Sequence, residues 1–536
     1  VAIFEKEQFP RDHVGESLIP AVTTILNEMG VWDKVEAADF PIKLGATYRW
    51  GATDDLWYLN FIPESDFTDT DRPGKFESQR TQTAFQVDRS IYDQILIEHA
   101  KEVGCEVFMS TAIKGIHSAG GHVVKLRAQE KSGRETSVKA RYYIDASGEA
   151  GVLRRALGVA VESPTTLRNI AFWDYWVHAE WPERFSGTAT RIQVLSLGWG
   201  WLWFIPITQT RTSVGLVLPA DHFKKSGLRP EEMYLEAILT EPRIANLLAK
   251  ATREGNFATT KDWNFLASDL VGSNWFLTGD SCGFADPILS AGLTLAQTSA
   301  RKVAYTILEL YRGGLDSDWL KGEYEESHRG QILQHMRFAE FWYAGNGCFT
   351  DLKEYCSTLA SNAGLRLTAD EAFAWLGSGG FALDRPGFAG ALGFPLSGLR
   401  LVTQNLTGGT VKSAAQGCNC VQANLEGVAH LPYAIYEGGR VIQAASYRRG
   451  DSILPRLALF ELLLGTARDP VYVDAWLAAC FKAGRRMGSE MNNFTYYLDA
   501  VEALVREGWL TSTYRSSMPP SVIFGSHVEV QLATTS

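Results

Sequence analysis

The chain has 536 residues, enough for three or four structural units at about 150 residues each. Hydrophobic residues make up 46% and charged residues 21%, close to globular averages, which excludes wholesale disorder. Lys+Arg 51 against Asp+Glu 61 leaves a net charge of -10, the wrong sign for a general nucleic-acid binder.

In chain order, Val1 to Glu5 reads as a short apolar strand ending in an acid. The chain opens on Val1 with no turn before it, so the expectation is that it begins inside an element, with further sequence upstream. A polar loop carrying Pro10 and Pro20 leads to a helix expected over Ala21–Met29. A strand is expected over Ala46–Trp50, and a second helix over Arg89–Val103, where Ile91, Ile95 and Leu96 recur at helical spacing. Short strands follow, the last ending in the small-residue turn Asp145-Ala146-Ser147-Gly148. The stretch Asn169–Pro219 reads as β-rich and aromatic. Trp275 to Asp280 reads as a buried strand ending in Gly-Asp, leading to a long helix expected over Thr294–Arg312. Beyond Glu323 come aromatic-rich helices, then a Gly-rich stretch, residues 377–439, expected to be irregular. Asp451–Tyr514 reads as three helices and a short strand, the outline of a winged helix, and residues 516–536 as a tail.

The most apolar run, Ile453–Leu464, is broken by Arg456 and Glu461 and is too short to span a bilayer. Seven scattered cysteines, an odd number, point to reduced thiols and a cytoplasmic setting rather than a disulfide framework. Cys418 and Cys420 have no second Cys or His pair at ligand spacing, so no metal is expected. Three strand ends carry acids or Gly-Asp pairs: Glu5, Asp145 and Asp280. In dinucleotide-binding folds such ends meet ribose and phosphate groups. Their usual partner, a G-x-G-x-x-G loop, is absent from the chain and is expected just upstream of Val1.

Four segments in this order carry a resemblance: FPRDHVGESLIP (Phe9–Pro20), FPIKLGATYRWG (Phe40–Gly51), GWLWFIP (Gly200–Pro206) and GDSCGFADPILSAG (Gly279–Gly292). The sequence resembles the flavin-dependent halogenases, in the branch that includes the chloramphenicol- and chondrochloren-pathway enzymes. The third segment contains W-x-W-x-I-P, which separates these halogenases from flavin monooxygenases of the same fold. The likeness is strong over residues 1–340 and weaker beyond. It implies an α/β fold (α+β overall). This would be a Rossmann-like FAD-binding domain of the monooxygenase type with a β-sheet substrate domain, followed by a C-terminal helical and winged-helix region. The corresponding divisions are residues 1–165 and 271–335 for FAD, 166–270 for the β-rich part, 336–450 helical or irregular, and 451–515 winged-helix-like.

The resemblance also implies the chemistry. Reduced FAD, O2 and chloride or bromide give hypohalous acid, which travels to an electron-rich phenolic or pyrrolic substrate, free or tethered to a carrier protein. Lys43 matches the family's catalytic lysine, although from the sequence alone it would be a solvated charge; at the end of a tunnel its truncation would leave stability nearly unchanged. It can orient the acid by hydrogen bonding or hold it as a haloamine. Glu16 is placed near the flavin, to assist proton delivery or to anchor its loop. Glu5, Arg11, Gln86, Arg89, Asp280, Pro287 and Gly292 are the implied cofactor contacts. Ser290, Ala291 and Gly292 are the implied halide site, on backbone amides. Trp201, Trp203, Ile205 and Pro206 would wall flavin from substrate, although alternating aromatics on a strand are also ordinary core packing.

The implied partners are a separate flavin reductase and the substrate, with neither nucleic acid nor membrane. The competing reading within the fold is a flavin hydroxylase or epoxidase. The competing reading from another class is a non-catalytic flavin-fold or winged-helix interaction protein. Against DNA binding, the expected third helix of the winged unit carries Asp499, Glu502 and Glu507, which a phosphate backbone would repel.

Overall fold

The computed structural model describes residues 1–50, 55–68, 72–185, 187–261, 263–344, 413–450, 452–486 and 494–525. They fall into two compact units, the first holding the described residues up to Ala344 and the second almost all of those from Ser413 onward.

Parallel strand pairs in the first unit come from the segments with acid-ended strands. Ala2–Phe4 pairs with Glu106–Phe108, and Trp275–Leu277 pairs with Tyr143–Asp145. These are separate two-stranded sheets among the described residues. Helix Arg89–Glu102 connects to the first pair; Asp88 caps it by accepting the Ser90 amide at 2.9 Å. Asp145 is occupied in the same manner. Its carboxylate accepts the amides of Ser147, Leu153 and Arg154, so this strand-end acid holds the following helix, Val152–Ala156, rather than standing open to a ligand.

A nine-stranded mixed sheet dominates the unit. Asn169–Val177 and Trp201–Pro206 both lie antiparallel to Arg211–Pro219, and Ala189–Ser196 continues the sheet to Ile42–Arg49. On the Trp201 strand, Leu202 and Phe204 point into a core with Leu216, Met233, Tyr234 and Ile238. Trp201, Trp203 and Ile205 therefore occupy the other face. Gly215 lies opposite Trp203, and a Cβ there would meet the indole at 2.1 Å. The missing side chain is what lets the ring lie against the neighbouring strand.

Two expectations shift here. The strand expected to begin at Ala46 begins at Ile42, so Lys43 lies inside the sheet and not in a loop before it. The long helix begins at Ala291, ahead of the expected Thr294, because Ser290 takes left-handed backbone (φ 57°) and turns the chain directly into the first helical residue. A further helix, Ser317–Ala344, follows. Two aromatic stretches, Phe338–Tyr343 and Phe373–Phe381, read in the sequence as pocket lining or, more plainly, core. Trp342 and Tyr343 of the first are buried in an aromatic cluster with Trp50, Trp57 and Tyr48, which is core packing; Phe373–Phe381 lies outside the described residues.

In the second unit the stretch expected to be irregular contains strands at Cys420–Ala423 and Ala429–Glu437. Three helices follow, Ala458–Thr466, Val473–Gly484 and Phe494–Arg506, then the strand Leu510–Thr513. The small sheet is ordered Val471–Tyr472, Cys420–Ala423, Leu510–Thr513. Its central strand thus comes from upstream of the helices. Glu502 of the third helix is buried and accepts the Ala414 amide at 2.8 Å. That position faces protein.

Candidate active site

Lys43 is 2% exposed, and the sheet explains why a lysine is found there. In the pairing with Ala189–Ser196, Lys43 faces Thr190 while Gly45 faces Arg191, leaving Leu44 as the extra residue of a bulge. Bulges re-aim side chains and recur beside active sites. Gly45 makes the bulge possible: a Cβ there would lie 1.9 Å from the Leu59 carbonyl oxygen.

The strand Ala84–Phe85 pairs with Ile42 and Lys43 on one side. On its other side runs the Glu16–Leu18 segment, through Leu18 N–H to Phe85 O and Val87 N–H to Glu16 O. This arrangement brings Ser17, the chain neighbour of Glu16, to Lys43. Lys43 Nζ donates to Ser17 Oγ at 2.7 Å. Ser290 Oγ also bonds Ser17 Oγ, at 3.0 Å. The Phe61 ring lies 5.3 Å from the ammonium. Burial, uncompensated by any carboxylate, lowers the Lys43 pKa to about 7.

Glu16 is equally buried. Its carboxylate accepts the Tyr175 hydroxyl at 3.0 Å and the Gly15 amide at 3.0 Å. Burial raises its pKa, and the Tyr175 hydrogen bond opposes that rise. Tyr175 in turn lies beneath Arg211, whose guanidinium carbon is 3.9 Å from the ring centroid.

Several implied cofactor contacts gather around these groups. Arg89 binds Asp93 through both side-chain ends, at 2.7 and 2.9 Å, and donates to Val14 O. Arg11 lies 3.7 Å from the same Asp93 carboxylate, and its Nη1 is buried without a hydrogen bond. Gln86 is fully buried with neither amide atom hydrogen-bonded among the described residues. Asp280 has no hydrogen-bond or ion-pair partner there either; burial raises its pKa to about 6, with Arg89 pulling the other way. Buried polar groups without protein partners suit a polar ligand or ordered water. Glu5 stands apart at the end of its strand, its carboxylate accepting the Glu7 amide.

The implied halide site needs one correction. Ser290 N–H is already bonded to Pro287 O at 3.0 Å, so Ser290 offers its hydroxyl, not its amide. The amides left open by the first turn are those of Ala291 and Gly292.

Trp201, one of the residues implied to form the wall, is tied to this turn by contacts that local motifs do not reveal. Trp201 Nε1 donates to Tyr343 Oη at 2.8 Å, and Tyr343 donates to Asp286 Oδ1 at 3.0 Å. Asp286 also accepts the Ile288 amide and bonds Asn169, and burial raises its pKa to about 6.

Comparison with known proteins decides the family. The chain matches the tryptophan halogenase family over residues 1–70 and 63–347. It belongs to that family. It is 32% identical over 367 residues to a 1H-pyrrole-2-carbonyl-[peptidyl-carrier protein] chlorinase of Pseudomonas fluorescens, covering 65% of this chain and 79% of the relative. It is 30% identical over 351 residues to a tryptophan 2-halogenase of Chondromyces crocatus, covering 65% and 63%. Among solved structures, the myxobacterial chondrochloren halogenase CndH superposes with a TM-score of 0.59 at 26% identity, covering 77% of this chain and 92% of that one. The flavin-dependent halogenase CmlS superposes with a TM-score of 0.71 at 21% identity, covering 97% and 92%, and establishes likeness of fold. The halogenase is thus a flavoenzyme of the oxidoreductase type, using FAD and halide, on a Rossmann-like fold of mixed helix and strand. Among its described residues no helix is long and apolar enough to cross a membrane.

Proposed function

We propose that this halogenase transfers halogen to an electron-rich carbon through the amine of Lys43. The observation that supports the reading is a lysine enclosed at 2% exposure, bonded to the Ser17 hydroxyl at 2.7 Å and facing the Phe61 ring. With a pKa near 7, a large share of it is the neutral amine at physiological pH, which an ordinary lysine is not.

FAD, when bound and reduced by a separate reductase, supplies hypohalous acid from O2 and halide. Arg11, Gln86, Arg89, Asp280, Pro287 and Gly292 are the residues proposed to hold it, since the unmet polar groups of Arg11, Gln86 and Asp280 suit a polyhydroxyl and phosphate chain. The Ala291 and Gly292 amides would hold halide. At Lys43 the amine nitrogen attacks the halogen of HOX, giving the N–X haloamine and water. The substrate carbon then takes the halogen from N–X, and its displaced proton restores the amine. Ser17 orients Nζ, and Glu16, hydrogen-bonded by Tyr175, is placed to hold a proton. The Trp201–Tyr343–Asp286 chain would keep the wall closed beside the halide turn, so that substrate and flavin do not meet.

The pyrrolyl-carrier chlorinase relative supports a phenolic or pyrrolic substrate, carrier-tethered in that relative, in natural-product biosynthesis. The experiment supplies FADH2, O2 and chloride or bromide with a panel of free and carrier-tethered phenols and pyrroles. The expected product gains one halogen. A consistent gain of one oxygen with no halogen would overturn the reading in favour of a hydroxylase.

A further inference from the structure

A cleft of about 260 Å³ opens where the turn after Asp145 meets the segments around Arg168 and Asn264. Arg154, Arg155 and Arg168 line it, with Glu149 as the one carboxylate. Arg154 and Arg155 both donate to the Glu149 carbonyl oxygen, at 3.2 and 3.3 Å, which brings the two guanidiniums side by side. Among the described residues, Arg168 donates only to the carbonyls of Thr165 and Leu167. None of the three forms an ion pair among the described residues. Arg211, in the same unit, by contrast pairs with three acids. Arg154 is buried against the Phe265 ring at 4.7 Å with its Nε unbonded, and Asn264 Oδ1 is likewise buried and unbonded. Burial and the neighbouring Arg155 lower the Arg154 pKa, as expected of cations crowded without an anion.

We infer that this cleft is a binding site for a phosphate group, carried on a small molecule or on the end of a flexible arm. Guanidiniums match phosphate oxygens through paired charge-assisted hydrogen bonds, and three of them converge here. The volume exceeds that of a bare phosphate, and Asn264 Oδ1 is left to accept from a hydroxyl or amide beside it. The inference rests on the arginines and not on the role of Lys43.

The test titrates the full chain, with FAD absent and then present, using inorganic phosphate and 4′-phosphopantetheine as probes at low ionic strength. The comparison protein is Arg155→Gln/Arg168→Gln, both outside the proposed catalytic residues and neither fully buried. Expected is binding to the original chain that weakens with salt and falls at least about tenfold in the variant, the scale of losing charge-assisted hydrogen bonds. FAD affinity and melting temperature should stay unchanged. Binding of phosphopantetheine assigns the arm; binding of inorganic phosphate alone assigns a free phosphate, and both support the site. No binding, equal binding by the variant, or competition with FAD accompanied by loss of FAD affinity overturns it, the last making the cleft part of the flavin site.

Discussion

Lys43 and Arg211 are two cations on one sheet, treated in opposite ways. Arg211, its side chain 14% exposed, meets Asp12, Asp88 and Glu254 at 2.8–3.0 Å and lies on the Tyr175 ring. Those carboxylates raise its pKa against the opposing effect of burial. Lys43 is more deeply buried and has a hydroxyl and an aromatic face instead. One cation is fully neutralised and holds structure; the other is starved of counter-charge and can lose its proton. Where the fold withholds a carboxylate, chemistry is the better explanation, because a buried unpaired ammonium is costly.

The most direct way to break this contrast is Lys43→Ala. FADH2 oxidation by oxygen should continue while halogenated product falls at least about a hundredfold, the scale of losing a positioned acid or base. Lys43→Arg should rescue poorly, since guanidinium stays charged and cannot form the same haloamine. In the unsubstituted enzyme, product formed per FADH2 should rise as pH passes upward through about 7, where the amine loses its proton. Retained halogenation in Lys43→Ala, or a pH profile of opposite slope, would remove the amine mechanism.

Stability provides the second test, and here burial overturns the expectation that truncation of Lys43 is neutral. A lysine titrates near 10.4 unfolded and near 7 in this fold. Below pH 7 the folded chain carries the buried cation at full cost. Between pH 7 and 10 the unfolded chain binds the extra proton, so this cost shrinks as pH rises. Lys43→Met, close in volume, should therefore stabilise the protein by roughly 3–5 kcal/mol at pH 6, with the gain narrowing toward pH 9.5. Urea unfolding at both values checks it. For Arg211→Ala the sign reverses: three acids lose their partner, and a loss of about 2 kcal/mol is expected in the same assay, below the buried-pair range because the group is partly wet. A neutral result there would mean the arginine is not a structural clamp.

Much of this was legible in the sequence, and what was missed has a common cause. Lys43, Glu16 and Ser290 stood out because the motifs around them are local. The bulge at Leu44 was not read, although an isolated glycine in a strand, Gly45, is its usual sign. Ser17 lies within the Phe9–Pro20 segment, where no local pattern marks it. Its role depends on meeting Lys43 and Ser290, 26 and 273 residues away. Tyr343 and Asp286 are joined across 57 residues, and Tyr175 and Glu16 across 159. Hydrophobic periodicity reports which face of an element is buried, and it holds no record of which polar groups meet there. The helices and most strands followed their patterns. The central strand of the second unit's small sheet did not, because it pairs with strands more than 40 residues downstream.

The smallest expected effect is at Ser17, and it sharpens the comparison. Ser17 accepts a hydrogen bond from Lys43 and contacts Ser290, so it is a positioning residue, acting through the amine rather than on the substrate. Removing its oxygen in Ser17→Ala deletes the polar partner that favours the charged lysine. The amine should then lose its proton more easily, moving the midpoint of the pH profile downward by about half a unit, in keeping with a net hydrogen-bond worth of about 1 kcal/mol. At a pH well above the midpoint, where the amine is neutral in both proteins, only the loss of orientation remains, and product should fall about fivefold. Ser17→Thr keeps the hydroxyl and should restore the midpoint even if crowding costs some rate. A merely structural serine would change the yield of folded protein and leave the midpoint where it was. An unmoved midpoint in Ser17→Ala, with folding intact, would mean that burial alone sets the lysine's proton affinity and that Ser17 only fills space.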